Sequence, residues 1–473
     1  MSQTIVIDPI TRIEGHAKIT IQLNDAGEVA EAHMHVTQFR GFEKLSEGRP
    51  FREMPSLMAR ICGICPVSHL IASAKACDAI LAVRIPEPAI KLRKVLNLAQ
   101  IVQSHALSFF YLSSPDLLLG MDADPAKRNL FGVLEAEPEL ARGGVRLRQF
   151  GQQVIELMSG KRIHPTWVIA GGVNHPITPE ARDTILAAIP EVKGIAVRTL
   201  EWFKPLLGNY REEIQTFANF PTMFMGLVGP DDTLEFYDGK LRLVGAEGQI
   251  VNDDIPVDRY GEYIGESVEP WSYLKSPYYR PIGYPSGVYR VGPLARLNIA
   301  ARCGTPLADK ELVEFKQIDA AERMSSFYFH YARLIEILHG IEKIEQLLSD
   351  PDSVSKHVFA SASANSSEGV GVSEAPRGTL LHHYRIDENG LIVWANLIIA
   401  TGNNNLAMDR GVLQVAQHFV KGKQLTEGML NRVEAVIRTF DPCLSCSTHA
   451  VGQMPLHMEL VNAAGEVLDE IAR

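Results

Sequence analysis

Four of the six cysteines in the 473-residue chain form two pairs with Cys-x-x-Cys spacing, one near each end. Cys62 and Cys65 lie in "RICGICPVSH", and Cys443 and Cys446 lie in "DPCLSCSTH". Soft metal ions prefer thiolate ligands, and two such pairs supply four of them for one centre. The residues alone leave structural zinc, an iron–sulfur cluster and nickel open. A disulfide at each end is disfavoured, because cysteine is sparse and the N-terminus has no signal-peptide core.

The place of the two pairs in the chain indicates where a shared centre must lie. Zinc knuckles usually draw their ligands from a short stretch, whereas these pairs bracket nearly the whole sequence. We therefore expect a site buried at the centre of the fold. Pro66 favours a helix that starts after Cys65, and a helix N-terminus favours the thiolate form. Cys77 and Cys303 stand alone and are expected to be packed core thiols.

Alternating apolar residues around turn sequences predict three β-hairpins. The first covers residues 17–38 with its turn at Asp25–Gly27. The second fits "TLEFYDGKLRLVG" with a turn at Asp238–Gly239, and the third fits "LLHHYRIDENGLIVWANLIIAT" with a turn at Asn389–Gly390. Small antiparallel sheets are therefore expected.

Long amphipathic patterns between these hairpins predict helices. Apolar residues recur every three or four positions in "LNLAQIVQSHALSFFYL", and Phe327, Tyr331, Leu334 and Leu338 form a similar stripe. No repeat and no low-complexity linker divides the chain. The sequence thus predicts an α+β fold, in which a mainly helical core of bundled long helices carries small antiparallel sheets at its periphery.

Composition and charge narrow the class of protein. Hydrophobic residues make up 46% and charged residues 22%, which is typical of a globular protein. The net charge is −10 and long basic runs are absent, so no nucleic-acid partner is expected. The apolar runs are too short to span a membrane, and a cytoplasmic location is expected.

The two cysteine motifs together resemble those of the large subunit of nickel–iron hydrogenases. The likeness continues in the same order through "DPITRIEGH", "RGFEKLSEGRPF", "QSHALSFFYL" and "EAPRGTL". It implies the hydrogenase large-subunit fold, with one interleaved domain over residues 1–449. The stretch from "RGFEKL" to "CPVSH" is most similar to the soluble, bidirectional NAD-reducing subclass.

The resemblance assigns the four cysteines to one nickel–iron centre. Cys62, Cys65, Cys443 and Cys446 are the implied nickel ligands. Cys65 and Cys446 are also implied to bridge to an iron ion that carries carbon monoxide and cyanide. Such a centre takes electrons from dihydrogen while a neighbouring base takes the proton.

The implied proton acceptors are the thiolate of Cys443 and then the carboxylate of Glu14. From the sequence alone, Glu14 is equally an N-terminal surface carboxylate or an ion-pair partner of Arg12. The match of "RIEGH" to the family motif favours the catalytic role.

Four further residues are implied to surround the metals. Arg377 in "APRG" matches an arginine held over the centre, where it orients a ligand, binds a cyanide or acts as a base. Asp441 is its expected charge partner, because leaving a buried charge unpaired is costly. Thr401 matches a hydroxyl donor to the other cyanide. His69 is expected to donate a hydrogen bond to a bridging sulfur. The alternatives are an ordinary ion pair in a turn for Arg377 and a plain core or surface residue for His69.

A magnesium site is also implied, with Glu43, His449 and the backbone carbonyl of Leu397 as ligands. Oxygen donors suit that ion, although histidine is an unusual ligand for it. Ser104 departs from many respiratory relatives, which carry an acid there, so the hydrogen bonds over the metals are expected to differ. His105 is given no role.

The 24 residues after His449 are expected to be a C-terminal extension, from Ala450 to Arg473. In this family a nickel-dependent endopeptidase removes such an extension during maturation. The alternative is a native terminal hairpin, since "HMELVNAAGEVLDE" alternates around a turn.

Electron transfer must involve partners. The chain has no good G-x-G-x-x-G motif after a strand and no further cysteine cluster for an iron–sulfur relay. We expect a small subunit with an iron–sulfur cluster, a diaphorase that binds FMN and NAD, and maturation chaperones.

Several other functions remain open at this point. A quinone-reducing complex I subunit is disfavoured because those relatives lack the four thiols. A hydrogen sensor keeps the thiols but generally lacks the cleavable tail. NADPH-linked or sulfur-reducing soluble hydrogenases are the nearest alternatives, and a structural zinc protein is the non-catalytic one.

Overall fold

A computed structural model describes residues 3–39, 41–421 and 425–448, and the backbone of two strands at 457–461 and 467–472. His449, a predicted magnesium ligand, lies outside the described residues.

Helices make up most of the regular structure. They are α1 (Phe42–Ser46), α2 (Met54–Met58), α3 (Pro66–Leu81), α4 (Glu87–Leu107), α5 (Ser114–Leu119), α6 (Leu130–Ala136), α7 (Pro138–Ser159), α8 (Pro179–Leu206), α9 (Arg211–Thr216), α10 (Pro293–Ile299), α11 (Pro306–Gln317), α12 (Phe329–Ser349), α13 (Ala400–Asn403), α14 (Asn405–Phe419), α15 (Glu427–Phe440) and α16 (Leu444–Ser447).

The strands are short. They are β1 (Gln3–Ile7), β2 (Lys18–Leu23), β3 (Val29–His35), β4 (Val168–Ile169), β5 (Gly172–Val173), β6 (Met223–Val228), β7 (Lys240–Val244), β8 (Ile250–Asn252), β9 (Ile264–Val268), β10 (Lys275–Tyr279), β11 (Tyr289–Arg290), β12 (Glu368–Ala375), β13 (Gly378–Ile386), β14 (Ile392–Ile398), β15 (His457–Val461) and β16 (Val467–Ala472).

Four long helices pack together. Helix α4 packs against α7 and α12, and α12 also packs against α8. The predicted apolar stripe is buried on this helix, with Leu334 and Leu338 each 1% exposed. The predicted helix over "LNLAQIVQSHAL" is α4, which continues directly into a π-helical segment at Ser108–Ser113. The prediction of a mostly helical fold with small sheets is confirmed.

The sheets are small and nearly all antiparallel. The three-stranded sheets have the orders β1-β2-β3 and β12-β13-β14, and a four-stranded sheet has the order β11-β6-β7-β8. In that sheet β11 pairs with β6 in parallel, so the expectation of purely antiparallel sheets is wrong at this pair. The connection from β6 to β11 runs through β7 to β10, long enough for the crossover that parallel strands require.

Two of the three predicted hairpins are observed and one is wrong. β2 pairs with β3 across the turn at Asp25–Gly27, and β13 pairs with β14 across the turn at Asn389–Gly390. β7 instead pairs with β6, because the backbone before Asp238–Gly239 is bound elsewhere. The carbonyl of Phe236 accepts hydrogen bonds from the backbone N–H of Glu374 and the side chain of Asn97.

Close packing of β12 on α3 brings the hairpin β12–β13 next to the first cysteine pair. A Cβ atom added to Gly371 would lie 2.1 Å from the carbonyl oxygen of Ala72, so only glycine permits this approach. A separate apolar cluster that includes Phe51, Met58 and Leu397 encloses the four paired cysteines.

Among the described helices, none combines the length and the hydropathy needed to cross a membrane.

Candidate metal centre

The four paired cysteines converge on one buried point. The sulfur atoms of Cys62 and Cys443 lie 3.2 Å apart, those of Cys65 and Cys446 lie 3.4 Å apart, and those of Cys443 and Cys446 lie 2.8 Å apart. All four sulfurs lie within 4.8 Å of one another, and each residue is at most 4% exposed. All four cysteines are free thiols, so the disulfide alternative is not what the structure contains.

Local backbone geometry places the first pair. Cys62 is extended, with φ −141°, after a 3-10 turn, and Cys65 is the N-cap of α3. Pro66 is the first residue of α3, as the sequence predicts. The sulfur of Cys62 accepts hydrogen bonds from the backbone N–H groups of Ile64 and Cys65, at 3.2 and 3.4 Å. These N–H groups stabilise negative charge on that sulfur.

The second pair lies on the short helix α16, which follows α15. Cys443 is the N-cap of α16, and Cys446 lies within it. The backbone N–H of Cys443 donates to the hydroxyl oxygen of Thr401 at 2.9 Å. Thr401 is buried in α13, so its side chain fixes the start of this cysteine segment.

The electrostatics of the cluster favour a bound cation. Hydrogen bonds from Cys443, Cys446 and Cys62 lower the pKa of Cys65 well below its ordinary value. Burial raises the pKa of the Cys443 and Cys446 thiols well above theirs. Four thiolates packed this closely repel one another unless a metal compensates their charge. The donor set therefore fits nickel or another soft ion.

Arg377 lies above the sulfurs and is held on three sides. Its Nε donates to the carbonyl oxygen of Asp441 at 2.6 Å, and its Nη2 donates to the carboxylate of Asp441 at 3.1 Å. Its Nη1 donates to the hydroxyl of Ser104 at 3.3 Å. Burial lowers the pKa of Arg377, but Asp441 and the thiols of Cys443 and Cys65 raise it further, so it ends well above its ordinary value. The guanidinium stays charged here.

Asp441 adopts an unusual backbone conformation between α15 and the cysteine segment. Its φ is 53°, in the left-handed region, and its backbone N–H donates to the carbonyl of Arg438. This conformation ends α15 and redirects the chain. Burial raises the pKa of the Asp441 carboxyl even though Arg377 and Arg333 lower it. The predicted pairing of Arg377 with Asp441 is present.

His69 lies on α3, one turn after Cys65. A hydrogen bond from His69 is among the interactions that lower the pKa of the Cys65 thiol. The Nδ1 of His69 lies 3.2 Å from Nε2 of His382, and Nδ1 of His382 lies 2.6 Å from the hydroxyl of Tyr384. That hydroxyl donates to Ser73 at 2.9 Å. The sequence did not predict these contacts beyond His69, since they join α3 to β13.

Glu14 lies against the second cysteine segment. Its carboxylate oxygen Oε2 accepts from the backbone N–H of Ser445 at 3.0 Å, and its carbonyl accepts from the N–H of Leu444 at 3.1 Å. Glu14 also forms a parallel β-bridge with Cys443. Arg12, the alternative ion-pair partner, instead donates to Asp116 at 2.5 Å. The structure thus brings the N-terminal motif to the cysteines.

Glu43 occupies a separate polar position on α1. Its Oε1 accepts from the ammonium of Lys275 at 2.8 Å and from the backbone N–H of Leu397 at 2.7 Å. Burial raises the pKa of Glu43, while Lys275 lowers it. Glu43 and Leu397 are therefore adjacent, as predicted. The carboxylate already has a cationic partner that the sequence did not predict, so a magnesium ion here would share it with Lys275.

Ser104 and His105 have different neighbours. Ser104 accepts from Arg377, whereas Nε2 of His105 lies 2.7 Å from the carboxylate of Glu336. Glu336 also binds Arg296, and His105, Glu336 and Arg296 are all fully buried. This buried cluster was not predicted, although charged residues within apolar helical stretches are a signal for it.

Comparison with known proteins shows extended sequence similarity. A profile described as nickel-dependent hydrogenase matches residues 40–130 and 236–449, and one described as HoxL-like matches residues 4–39. The NAD-reducing hydrogenase HoxS subunit beta of Cupriavidus necator is 43% identical over 489 residues and covers 100% of both chains. The F420-non-reducing hydrogenase vhu of Methanocaldococcus jannaschii has a chain that is 43% identical over 417 residues, covering 88% of this chain and 99% of its own.

Solved structures have the same fold. The crystal structure of an NAD+-reducing [NiFe]-hydrogenase in the H2-reduced state matches with a TM-score of 0.92 and 44% identity. That match covers 94% of this chain and 99% of the solved one. The Ni-Fe-Se hydrogenase from D. vulgaris Hildenborough matches with a TM-score of 0.77 at 23% identity, which supports the fold alone.

Both comparisons cover most of the chain, and their matched region includes the two segments whose cysteines converge. This chain therefore belongs to the nickel-dependent hydrogenase family.

Proposed function

We propose that this chain is the catalytic large subunit of an NAD-reducing nickel–iron hydrogenase, which cleaves H2 heterolytically and reversibly. The observation that carries the proposal is the convergence of four buried cysteine sulfurs within 4.8 Å, from segments 381 residues apart. The full-length similarity to the HoxS beta subunit supports the NAD-reducing subclass.

The four cysteines would hold nickel, and Cys65 and Cys446 would share iron with it. When bound, the centre supplies a redox-active acid that accepts the electron pair of H2. The chain supplies thiolates, a dry cavity and proton acceptors. The proximity of the Cys65 and Cys446 sulfurs, at 3.4 Å, supports their pairing as the bridging ligands.

Proton transfer would start at the thiolate of Cys443 and continue to the carboxylate of Glu14. A base must lie within hydrogen-bond reach of the proton it takes, directly or through one water. The β-bridge between Glu14 and Cys443 and the hydrogen bond from Ser445 to Glu14 hold this carboxylate next to the cysteine segment. The partly buried side chain of Glu14 offers the proton a way toward solvent.

Arg377, Thr401 and His69 would bind or orient groups on the metals. The raised pKa of Arg377 favours a hydrogen-bond donor to cyanide over a base. The Thr401 hydroxyl accepts from Cys443 and retains its own proton to donate to the other cyanide. His69 would tune the bridging sulfur of Cys65. Asp441 would keep Arg377 in place.

A magnesium ion would lie beside Glu43, with the carbonyl of Leu397 and the side chain of His449 as further ligands. The support is the adjacency of the Glu43 carboxylate and the Leu397 backbone. Magnesium favours such oxygen ligands. Lys275 would then share Glu43 with the ion.

Residues 1–449 would form the mature domain, and residues 450–473 would be removed during maturation by an endopeptidase, after chaperones have delivered the metals. The family profile ends at residue 449, which supports this division. The strands β15 and β16 pair in an antiparallel hairpin inside the extension, so it has secondary structure of its own.

The electrons would leave through a small subunit with an iron–sulfur cluster and reach a diaphorase that carries FMN and binds NAD, in the cytoplasm. The support is again the similarity to the HoxS beta subunit. A sulfur-reducing alternative has weaker support, because the sulfhydrogenase 2 alpha chain of Pyrococcus furiosus is 32% identical.

Metal analysis and infrared spectroscopy of the purified complex test the proposal. We expect nickel and iron in equal amounts, carbon monoxide and cyanide bands, and H2-dependent reduction of NAD. Cys446→Ser should lose nickel and activity, whereas Cys303→Ser, a buried thiol outside the cluster, should keep both. Zinc alone, with no infrared bands, would contradict the proposal, and reduction of NADP or sulfur in place of NAD would contradict the subclass.

A further inference from the structure

Three fully buried charged residues lie behind the turn that carries Arg377. Arg296 on α10, Glu336 on α12 and Glu374 on β12 are each 0% exposed. Nε and Nη2 of Arg296 each donate to Glu336 at 2.7 Å, and Nη1 donates to Glu374 at 2.8 Å. We name these three residues the Arg296 cluster.

The same guanidinium also binds the backbone just before Arg377. Nη1 of Arg296 donates to the carbonyl of Ala375 at 3.0 Å, and Nη2 donates to the carbonyl of Pro376 at 3.3 Å. A guanidinium has five N–H donors in a fixed fork, and here it makes five hydrogen bonds. Two of the five therefore fix the backbone of the turn.

This turn cannot rely on the usual chemistry of short hairpins. Two residues, Pro376 and Arg377, join β12 to β13. Tight hairpins usually need a positive φ at the first turn position, which proline cannot adopt. Neither residue is among those with positive φ. Support from outside the hairpin must therefore hold the turn in place.

The Arg296 cluster also reaches the partner of the Arg377 side chain. Glu336 accepts a hydrogen bond from His105, at 2.7 Å, and the neighbouring Ser104 accepts from Nη1 of Arg377. One buried network thus contacts the backbone before Arg377 and the helix that carries Ser104.

A buried ion cluster is a weak source of stability, because desolvation offsets much of its attraction. Its geometric effect is larger, since a planar guanidinium with five partners has one arrangement. We infer that Arg296 is a positioning residue that sets the location of the Arg377 guanidinium over the metal centre. This inference rests on the proposed function, because the role of Arg377 depends on a ligand bound there.

Hydrogen exchange of the metal-free protein tests the geometric part without relying on activity. Arg296→Lys keeps a positive charge but loses the fork, so amide exchange in residues 374–379 should accelerate at least about tenfold. The matched control is Arg242→Lys, in which a nearly buried arginine pairs with Asp232 and Asp253 instead. It should leave exchange in 374–379 unchanged. Unaltered exchange in folded Arg296→Lys would overturn the inference.

Infrared spectra of the loaded enzyme test the functional part. In Arg296→Lys and the milder Glu336→Gln, we expect shifted cyanide bands and turnover lowered about 10- to 100-fold, with nickel and iron content unchanged. Bands and turnover equal to the wild type would overturn the inference. A wild-type enzyme without these bands would instead defeat the proposed function, while the exchange experiment would still decide whether Arg296 holds the turn.

Discussion

At the scale of single residues, Glu14 shows how a motif acquires a site. Its type and position allow an ordinary surface carboxylate, but the structure places it against Cys443 and Ser445. Its two hydrogen bonds come from backbone N–H groups of the cysteine segment, so it is oriented by the segment whose proton it would accept. This arrangement makes Glu14 the residue whose replacement separates proton transfer from metal binding.

Glu14→Gln keeps the shape and the acceptor oxygen but cannot take a proton. We expect H2 oxidation to fall by about 10²- to 10⁴-fold, the usual contribution of a positioned acid or base. Nickel and iron content and the infrared bands should not change, because Gln can still accept from Ser445. Steady-state turnover with an artificial electron acceptor measures the loss, and Glu28→Gln, at an exposed turn, is the control. Full activity in Glu14→Gln would mean that the proton leaves by another route.

Residue types and spacing predicted the four cysteines, and the family motifs predicted Arg377 beside Asp441. They did not predict Lys275 beside Glu43 or His382 beside His69. Those contacts join residues 232 and 313 positions apart in the chain, and no local pattern encodes such a pairing. Single charged or aromatic residues within strands carry too little information to identify their partners.

At the scale of elements, buried polar contacts between helices are expected to set the response to pH. His105 on α4 and Glu336 on α12 lie 2.7 Å apart with no exposure. Burial lowers the pKa of His105 to about 4, although Glu336 raises it. The unfolded chain therefore binds a proton near the ordinary histidine pKa, while the folded chain does not.

Acidification from pH 6.5 to about 4 should thus favour the unfolded state, and below about 4 this contribution stays constant. The expected loss from His105 is about 2–3 kcal/mol of unfolding free energy. His105→Gln should remove this part of the pH dependence in urea unfolding of the metal-free protein. His357→Gln, at an exposed position, is the control. An unchanged slope in His105→Gln would show that other groups dominate the acid response.

A second polar contact joins the N-terminal motif to α15. The buried carboxylate of Asp116 binds Arg12 at 2.5 Å and Arg438 at 2.8 Å. Burial raises the pKa of Asp116, but these arginines lower it further, so the net shift is downward. Asp116 therefore stabilises the fold above its unfolded pKa, and this stability is lost as the pH falls through the lower folded pKa.

Asp116→Asn leaves two buried arginines with a neutral partner. We expect a loss of about 3–5 kcal/mol in unfolding free energy at neutral pH, as for other broken buried pairs. Activity should fall as well, because Arg12 orients the segment that carries Glu14. Denaturant unfolding of Asp116→Asn beside Asp122→Asn, whose carboxylate pairs with Arg432 at the surface, separates burial from charge. Equal losses in the two variants would contradict this account.

The same contrast explains which elements the sequence could predict. The hairpins at Asp25–Gly27 and Asn389–Gly390 form because the turn residues and the adjacent alternation specify the same pairing. The predicted hairpin at Asp238–Gly239 fails because β6, from earlier in the chain, pairs with β7. Long-range contacts override a local turn signal where the backbone has other partners.

At the scale of the whole molecule, the two ends of the described chain meet at the metal centre. Segments near residue 14 and residues 443–446 are bound to each other and to Cys62 and Cys65. Closing so long a loop costs entropy that the rest of the fold must offset. The C-terminal segment is therefore the last part of the site that synthesis supplies, and any residues beyond it are attached directly to a metal-binding strand.

Because of this connection, residues 450–473 are expected to affect metal delivery. If the extension serves only maturation, active enzyme from the native host should end at His449, and intact-mass spectrometry should show the loss of Ala450–Arg473. Protein from a strain without the endopeptidase should keep the extension and show no H2-dependent NAD reduction. A chain made to stop at His449 tests the order of events, since it should bind less nickel if the extension is needed during metal delivery. Fully active enzyme that still ends at Arg473 would instead make the hairpin of β15 and β16 a permanent part of the protein.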